Sequence, residues 1–272
     1  MKKMKTIFLA VILGLLLMSN TSFAQDGKSY LVTVTKLHWN MDNKSFSNDE
    51  WIATEKEYLD KVVKKNPFIV GQEVLMHSFT EDNTELLLVT TYENWEAIEK
   101  AGAKDDELVK AAWPDEKARK AFFEKRGQYY AHGHSDEIYA TMPGAKLPKG
   151  NFDKDMIYYV RVGHFAYPKD GTEKEFSELE KQYFDAVTNK NDLIKAYYPN
   201  RHAWGADNTE FTEVYVVESL ADLDSALNKN RELFQAAWKD EAKRKDYNDK
   251  SAKYFTGKHS DYIYKSVHQL VK

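Results

Sequence analysis

The hydrophobic and polar positions of the chain repeat one order of elements twice. In the first half, residues 30–38 alternate like a strand, and residues 47–65 have the spacing of an amphipathic helix. Two further strand-like runs, residues 68–80 and 85–92, are joined by a polar turn around Asp82-Asn83. This half of the chain therefore begins with strand, helix, strand and strand.

The rest of the unit is mostly helical. Residues 93–133 have helical spacing that breaks near Trp113-Pro114, where proline suits the first turn of a new helix. Residues 136–142 form a final strand-like run. The complete order, βαββαβ, is that of a ferredoxin-like unit.

An internal repeat shows that the second half has the same organisation. Sliding the sequence by 125 residues places residues 107–139 over 232–264, and 16 of these 33 positions are identical. Outside that block, His77 falls on His202, and with one gap His38 falls on His164. A duplicated supersecondary unit explains such self-similarity.

The repeat sets the predicted domain boundaries. The first unit spans residues 25–142, and the second spans residues 157–272. Residues 143–156 contain two prolines and two glycines, a composition typical of a linker. We predict an α+β fold in which two ferredoxin-like units pack sheet to sheet, because each apolar sheet face needs a partner to bury it.

The N-terminal residues 1–24 have the pattern of a secretory signal peptide. Lys2, Lys3 and Lys5 precede an apolar run at residues 7–18, and Ser22-Phe23-Ala24 is a small-x-small cleavage signal. Cleavage after Ala24 would change the formal net charge from -4 to -7. The expected location is the periplasm or the exterior of the cell.

Composition excludes several functions. An acidic chain without a Lys/Arg block repels phosphate backbones, so we expect no nucleic-acid partner. No second stretch reaches the roughly 18 apolar residues that a membrane span requires. Cysteine is absent, which excludes disulfides and thiolate chemistry. Phosphate-binding glycine loops and the common hydrolase motifs are absent as well.

An aromatic residue before an acidic helix start occurs in both units, as Trp113-Pro114-Asp115-Glu116 and Trp238-Lys239-Asp240-Glu241. With the element order, this resembles the dimeric α/β-barrel superfamily, which includes antibiotic-biosynthesis-monooxygenase-like, EthD-like and NIPSNAP-like proteins. The resemblance implies two facing sheets with a cavity between them. It also implies hydrophobic or aromatic ligands, and haem in some members. Since one chain holds both units, either a monomer or a homodimer is expected.

The duplicated His-Ser-Asp motif supplies the candidate catalytic residues His134, Asp136, His259 and Asp261. If the first and last strands of each unit are antiparallel neighbours, His38 should approach His134, and His164 should approach His259. Two imidazoles and a carboxylate suit either a metal ion or a base with its orienting acid. Alternatively, the motif only closes the preceding helix. The metal and the cofactor stay open.

The second group of candidates consists of residues expected to bind a ligand. His38 and His164 are candidate ligand-binding residues, and the tyrosines offered for a planar ligand include Tyr139, Tyr264 and Tyr215. The same aromatics also suit a strand core. Glu213 replaces Leu88 of the first unit, so it either points inward with a hydrogen-bonding partner or lies on a solvated face.

Two functions fit these patterns. The first is an exported protein that holds a small hydrophobic or aromatic molecule between the two units. The alternative is an oxygenase or isomerase of the barrel type that uses His and Tyr, with or without bound metal or haem.

Overall fold

The computed structural model describes residues 28–272, and the signal-peptide prediction for residues 1–24 lies outside them. Among the described residues, the strands are β1 Leu31–His38, β2 Ile69–Phe79, β3 Glu85–Tyr92, β4 Ser135–Thr141, β5 Ile157–Phe165, β6 Ala196–Trp204, β7 Glu210–Val217 and β8 Phe255–Ser266. The helices there are α1 Asn48–Lys61, α2 Trp95–Ala112, α3 Glu116–Gly127, α4 Glu173–Ala186, α5 Leu220–Ala237 and α6 Glu241–Ala252. Within residues 28–272, no helix has the length and apolarity of a membrane span.

Local sequence signals explain where the helices begin. The N-cap side chains of α1 and α4, Ser47 and Thr172, each accept a hydrogen bond from the backbone N–H three residues later. Asp115 and Asp240 cap α3 and α6 in the same way. Pro114 therefore lies one residue before the cap of α3, outside the first turn in which the sequence placed it.

The two βαββαβ units are present as predicted, and their edges also pair. Among the described residues, the strands close a barrel in the order β1-β3-β2-β8-β5-β7-β6-β4. Antiparallel pairing of β2 with β8 and of β4 with β6 joins the units. Edge strands carry unpaired N–H and C=O groups, and this closure satisfies them. The facing sheets thus form the two halves of one barrel.

Side chains fill the space between the two half-barrels. One core cluster there contains Leu75, Leu87, Met156, Tyr158, Ala196, Val216 and Tyr264. These residues come from both units, so the core joins them. The helices cover the outer face of the sheet, where separate clusters form within each unit. A further cluster there combines first-unit residues such as Trp51 with Val267 and Leu270 of the second unit. The space in which the sequence placed a ligand is therefore largely occupied by the protein itself.

Two buried hydrogen bonds connect the units inside the barrel. The Tyr264 hydroxyl donates to Glu85 Oε1 at 2.9 Å, and the Tyr139 hydroxyl donates to Glu210 Oε2 at 2.8 Å. The two contacts occupy equivalent positions of the repeat. Lys36 also forms an ion pair with Glu85, at 3.0 Å. Tyr139 and Tyr264, predicted to bind a ligand, are thus used to connect one unit to the other.

Candidate functional site

The duplicated His-Ser-Asp motif forms a His-Asp pair in each unit. His134 Nε2 lies 3.2 Å from Asp136 Oδ2, and His259 Nε2 lies 3.2 Å from Asp261 Oδ2. Both pairs are exposed, with His134 directly before β4 and His259 within β8. The geometry is that of an imidazole with an orienting carboxylate.

The structure does not unite these pairs with His38 and His164. His38 Nδ1 lies 3.2 Å from Thr84 Oγ1 and 3.2 Å from Asp82 Oδ2. His164 has the equivalent partners at Thr209 and Asp207. The expected approach to the motif histidines is wrong because side chains alternate between the faces of a strand.

Strand register shows the alternation. Lys36 pairs with Ser135, which places His38 and His134 on opposite faces of the sheet. His77 instead lies opposite Tyr264, and His202 lies opposite Tyr139, across the joins between units. Three of the described side-chain atoms, His202 Nε2, Asn200 Oδ1 and Ser251 Oγ, are buried without a hydrogen-bond partner.

Glu213 lies on the outer face of β7, under the helices. Its Oε1 accepts hydrogen bonds from the hydroxyls of Tyr197, at 2.9 Å, and Tyr215, at 2.7 Å. Burial, together with the Glu213 charge, raises the pKa of both tyrosines, so they stay protonated donors. Of the two alternatives for Glu213, the structure shows the one with hydrogen-bonding partners.

A cavity opens beside Glu213, between the sheet and the helices of the second unit. It has a volume of about 300 Å³. Strands β5 and β7 and helices α4, α5 and α6 contribute its lining, which is Tyr159, Arg161, Tyr183, Tyr215, Leu227, Asn230, Arg231, Phe234, Tyr247 and Asn248. We call this the helix-side pocket. Tyr215, predicted to bind a ligand, is one of its walls.

The predicted pair of the second unit reaches this pocket. The Tyr159 hydroxyl donates to Asp261 Oδ1 at 2.6 Å, while Asp261 Oδ2 contacts His259. Arg161 Nε lies 4.0 Å from the same carboxylate. In the first unit, the Thr35 hydroxyl donates to Asp136 Oδ1 at 2.6 Å, at the position that corresponds to Asp261. The two copies of the motif therefore have different surroundings.

A second carboxylate, Glu180 of α4, lies one helical turn before Tyr183, which lines the pocket, although Glu180 itself is not one of the lining residues. Within residues 28–272, no hydrogen bond or ion pair reaches its carboxylate. Burial raises the pKa of Glu180 to about 8, and the Glu213 charge adds to that shift. Burial also raises the pKa of Tyr247 to about 12, with a contribution from Glu180. Glu180 therefore lies near Tyr247, one of the residues that line the pocket.

The first unit has the same glutamate, but it is paired there. Glu55 occupies the position of Glu180 when the sequence is shifted by 125 residues. Arg126 donates three hydrogen bonds to the Glu55 carboxylate, at 2.9 to 3.1 Å. The Tyr130 hydroxyl donates a fourth, at 2.8 Å. The guanidinium carbon of Arg126 also lies 4.0 Å from the ring centre of Tyr58.

The second unit retains the acceptor and lacks the donors. Ser251 replaces Arg126, and Phe255 replaces Tyr130, whereas Tyr183 still matches Tyr58. Leu88 of the first unit becomes Glu213, which adds a carboxylate. A buried carboxylate without its ion-pair partner takes up a proton at neutral pH. The second unit thus has two carboxylates, Glu180 and Glu213, near the helix-side pocket and no arginine at the position of Arg126.

Sequence reasoning missed Glu180. The signal was present in the repeat, at positions where the copies differ: Arg126 with Ser251, and Tyr130 with Phe255. Both differences lie within the aligned block of residues 107–139 and 232–264, between the identical residues that define the repeat. Comparing the partners of each conserved charge would have shown one glutamate left without its arginine.

Neither a metal ion nor haem fits the lining of the helix-side pocket. Within residues 28–272, no group of three or more His, Cys, Asp and Glu is arranged to hold a metal. The lining of the helix-side pocket includes no His, Cys or Met. Its Tyr159 and Tyr215 hydroxyls already donate to carboxylates. We therefore derive no chemistry through such a group.

No protein-family model matches the chain, and no curated protein matches it. Among solved structures, a "putative monooxygenase" from Fusobacterium nucleatum has a TM-score of 0.52 and 13% identity, covering 87% of this chain and 92% of that one. A second "putative monooxygenase", from Lactobacillus acidophilus, has a TM-score of 0.48 and 12% identity, covering 89% and 95%. A chlorite dismutase mutant from Candidatus Nitrospira defluvii has a TM-score of 0.48 and 11% identity, covering 89% of this chain and 93% of that one. The chain has the dimeric α/β-barrel fold, with both halves in one polypeptide.

Replacing Arg126 with serine, the residue of the second unit, should lower the free energy of unfolding by about 3–5 kcal/mol. The change leaves the buried Glu55 carboxylate without its cation. Urea denaturation at pH 7 measures the effect. Lys125→Ser, at the exposed neighbouring position, is the control and should cost far less. Equal losses in the two variants would contradict the assigned ion pair.

Replacing Glu180 with glutamine should change how stability depends on pH. The folded pKa of Glu180 is about 8, against an ordinary value of 4.5. Unfolding therefore releases a proton between those values, and the free energy of unfolding falls as pH rises through that range. Glu180→Gln should remove this part of the slope. Urea denaturation at pH 5 and pH 8.5 measures it, and Glu178→Gln, on the exposed side of α4, should keep the wild-type slope.

Proposed function

We propose that this chain is an exported binding protein that holds a small molecule with a flat, largely apolar body in the helix-side pocket. The observation that carries the proposal is the difference between the units. In the first unit Arg126 reaches the equivalent glutamate, Glu55, whereas the second unit has Ser251 in its place and an open volume of about 300 Å³ nearby. The loss of this large side chain in one copy of a duplicated fold supports a ligand site in that copy.

The lining supports the kind of ligand. Tyr159 and Tyr215 stack with centroids 5.7 Å apart, and Phe234 lies 5.6 Å from Tyr247 on the helical side. Aromatic walls facing each other suit a planar body, with polar groups at the rim to orient it. The volume is at the small end of ligand pockets, which favours a single ring with short substituents.

Export is part of the proposal and is supported by the N-terminal pattern. The lysines, the apolar run and the Ser22-Phe23-Ala24 signal fit removal of residues 1–24. The absence of cysteine is compatible with an oxidising compartment, because no thiol can be oxidised there. Intact-mass measurement of the protein recovered from cells tests this point: it should begin at Gln25.

One observation favours a second candidate function, an oxygenase or isomerase. Glu180, with a pKa of about 8, keeps its proton at pH 7 beside aromatic walls, which suits a general acid or base. The fold is also that of proteins named as monooxygenases. The two functions differ in the fate of the ligand: a binding protein returns it unchanged after incubation in air, and an enzyme does not.

The test of the binding function is a variant that closes the pocket. Asn248 lines it, and the first unit has Phe123 at that position. Asn248→Phe should reduce the affinity for small single-ring aromatic compounds at least tenfold, because the ring occupies the ligand space. Isothermal titration calorimetry with full-length mature protein measures the affinity.

The control applies the same substitution outside the pocket. Asn228 is exposed on α5 and is not part of the lining, so Asn228→Phe should bind like the wild type. Ligand-induced chemical shift changes should fall on α4, α5 and α6. Unchanged affinity in Asn248→Phe, or shift changes confined to the barrel interior, would contradict the proposal.

A further inference from the structure

We infer that the ligand of the helix-side pocket carries an organic cation, an amidinium, guanidinium or ammonium group, that binds at Glu180 in the place that Arg126 occupies in the first unit. This inference rests on the proposed binding function and names the chemical class of the ligand. Its support comes from the internal comparison of two copies of one fold.

The first unit provides the template for the contact. There, the Arg126 guanidinium is held by the Glu55 carboxylate and lies over the ring of Tyr58. Carboxylate and aromatic face are two complementary partners for a planar cation. In the second unit both partners persist, as Glu180 and Tyr183, while the arginine is replaced by Ser251. A cation from solution can therefore make the contacts that the chain makes for itself in the first unit.

The second unit has also gained acidity at this place. Glu213 replaces Leu88, and its Oε1 is held by two tyrosine hydroxyls rather than by a cation. Two carboxylates lie close enough for Glu213 to raise the pKa of Glu180. Bringing a cation between them relieves this repulsion, which favours a cationic ligand over a neutral one.

Two arginines, Arg161 and Arg231, belong to the lining of the pocket. Arg161 lies across the strand pair from Glu213 and 4.0 Å from Asp261. Asp261 in turn contacts His259, which is 41% exposed. Arg231 is exposed on α5, where solvent screens its charge. The charges of the two arginines are therefore offset by carboxylates or by solvent, whereas within residues 28–272 no cation pairs with Glu180.

Three compounds of nearly equal shape test the charge. Benzamidine, benzamide and benzoate place an amidinium, a neutral amide and a carboxylate on the same ring. Calorimetry with the mature protein at pH 8.5 should show benzamidine binding at least tenfold more tightly than benzamide, a difference of about 1.4 kcal/mol. Its affinity should rise from pH 6 to pH 8.5, as Glu180 loses its proton, while that of benzamide stays level.

Variants assign the preference to Glu180. Glu180→Gln should remove both the preference for benzamidine and its pH dependence, and Glu178→Gln should keep them. If benzamide or benzoate binds as well as benzamidine, and Asn248→Phe still abolishes binding, the pocket stands and the cation is refuted. If none of the three binds, the binding function and the cation fail together.

Rebuilding the first unit's arrangement gives the reciprocal test. Ser251→Arg places an internal guanidinium where Arg126 lies in the first unit, so it should prevent benzamidine binding and raise the melting temperature. Lys250→Arg, one residue away on the exposed side of α6, should change neither. Benzamidine binding to Ser251→Arg with wild-type affinity would overturn the inference.

Discussion

The edge strands of the two units pair with each other, and this pairing holds the molecule together. The pairs β2 with β8 and β4 with β6 close the barrel, and the interior core then draws side chains from both units. Tyr139 and Tyr264 add hydrogen bonds across these joins. A change inside the barrel would disturb both units at once, because interiors are closely packed. The clusters under α4, α5 and α6 lie within the second unit, so that outer face can differ from its counterpart in the first unit.

The outer faces of the two units differ in the partner of one glutamate. In the first unit, Glu55 and Arg126 form a neutral pair that fills the space under the helices. In the second unit, Glu180 keeps its place without the arginine, and Glu213 joins it. An unpaired carboxylate in partly buried surroundings reduces stability, so its presence beside a cavity supports the proposed role of Glu180 in binding or catalysis. Glu180 supports both proposed functions, because a carboxylate can either accept a proton or bind a cation.

The sequence was sufficient for the element order because its signals are local. Helical spacing predicted a helix at residues 47–65, where α1 spans Asn48–Lys61, and the predicted break near Trp113-Pro114 separates α2 from α3. The His-Asp pairs of the repeated motif could be expected for the same reason, being two residues apart on one strand face. Pairing of the units' edges depends on residues far apart in the chain, and periodicity carries no information about it.

The helix-side pocket lay outside the prediction for a different reason. Glu213 and Tyr215 were identified as an asymmetry between the units, yet their face of the strand was undetermined until the register was known. Glu180 has an identical counterpart, Glu55, in the first unit, so a comparison of repeated residues did not single it out. What marks it is the loss of a partner more than 70 residues away in the sequence, at Ser251.

Titration of the Glu180 carboxyl carbon in a ¹³C NMR experiment shows whether this side chain is an unpaired acid that can bind a cation. We expect a pKa of about 8 in the free protein and a lower pKa once benzamidine is bound. Assignment through the Glu180→Gln variant identifies the signal. An ordinary glutamate pKa of about 4.5 in the free protein, unchanged by benzamidine, would show that Glu180 is neither perturbed nor a cation site.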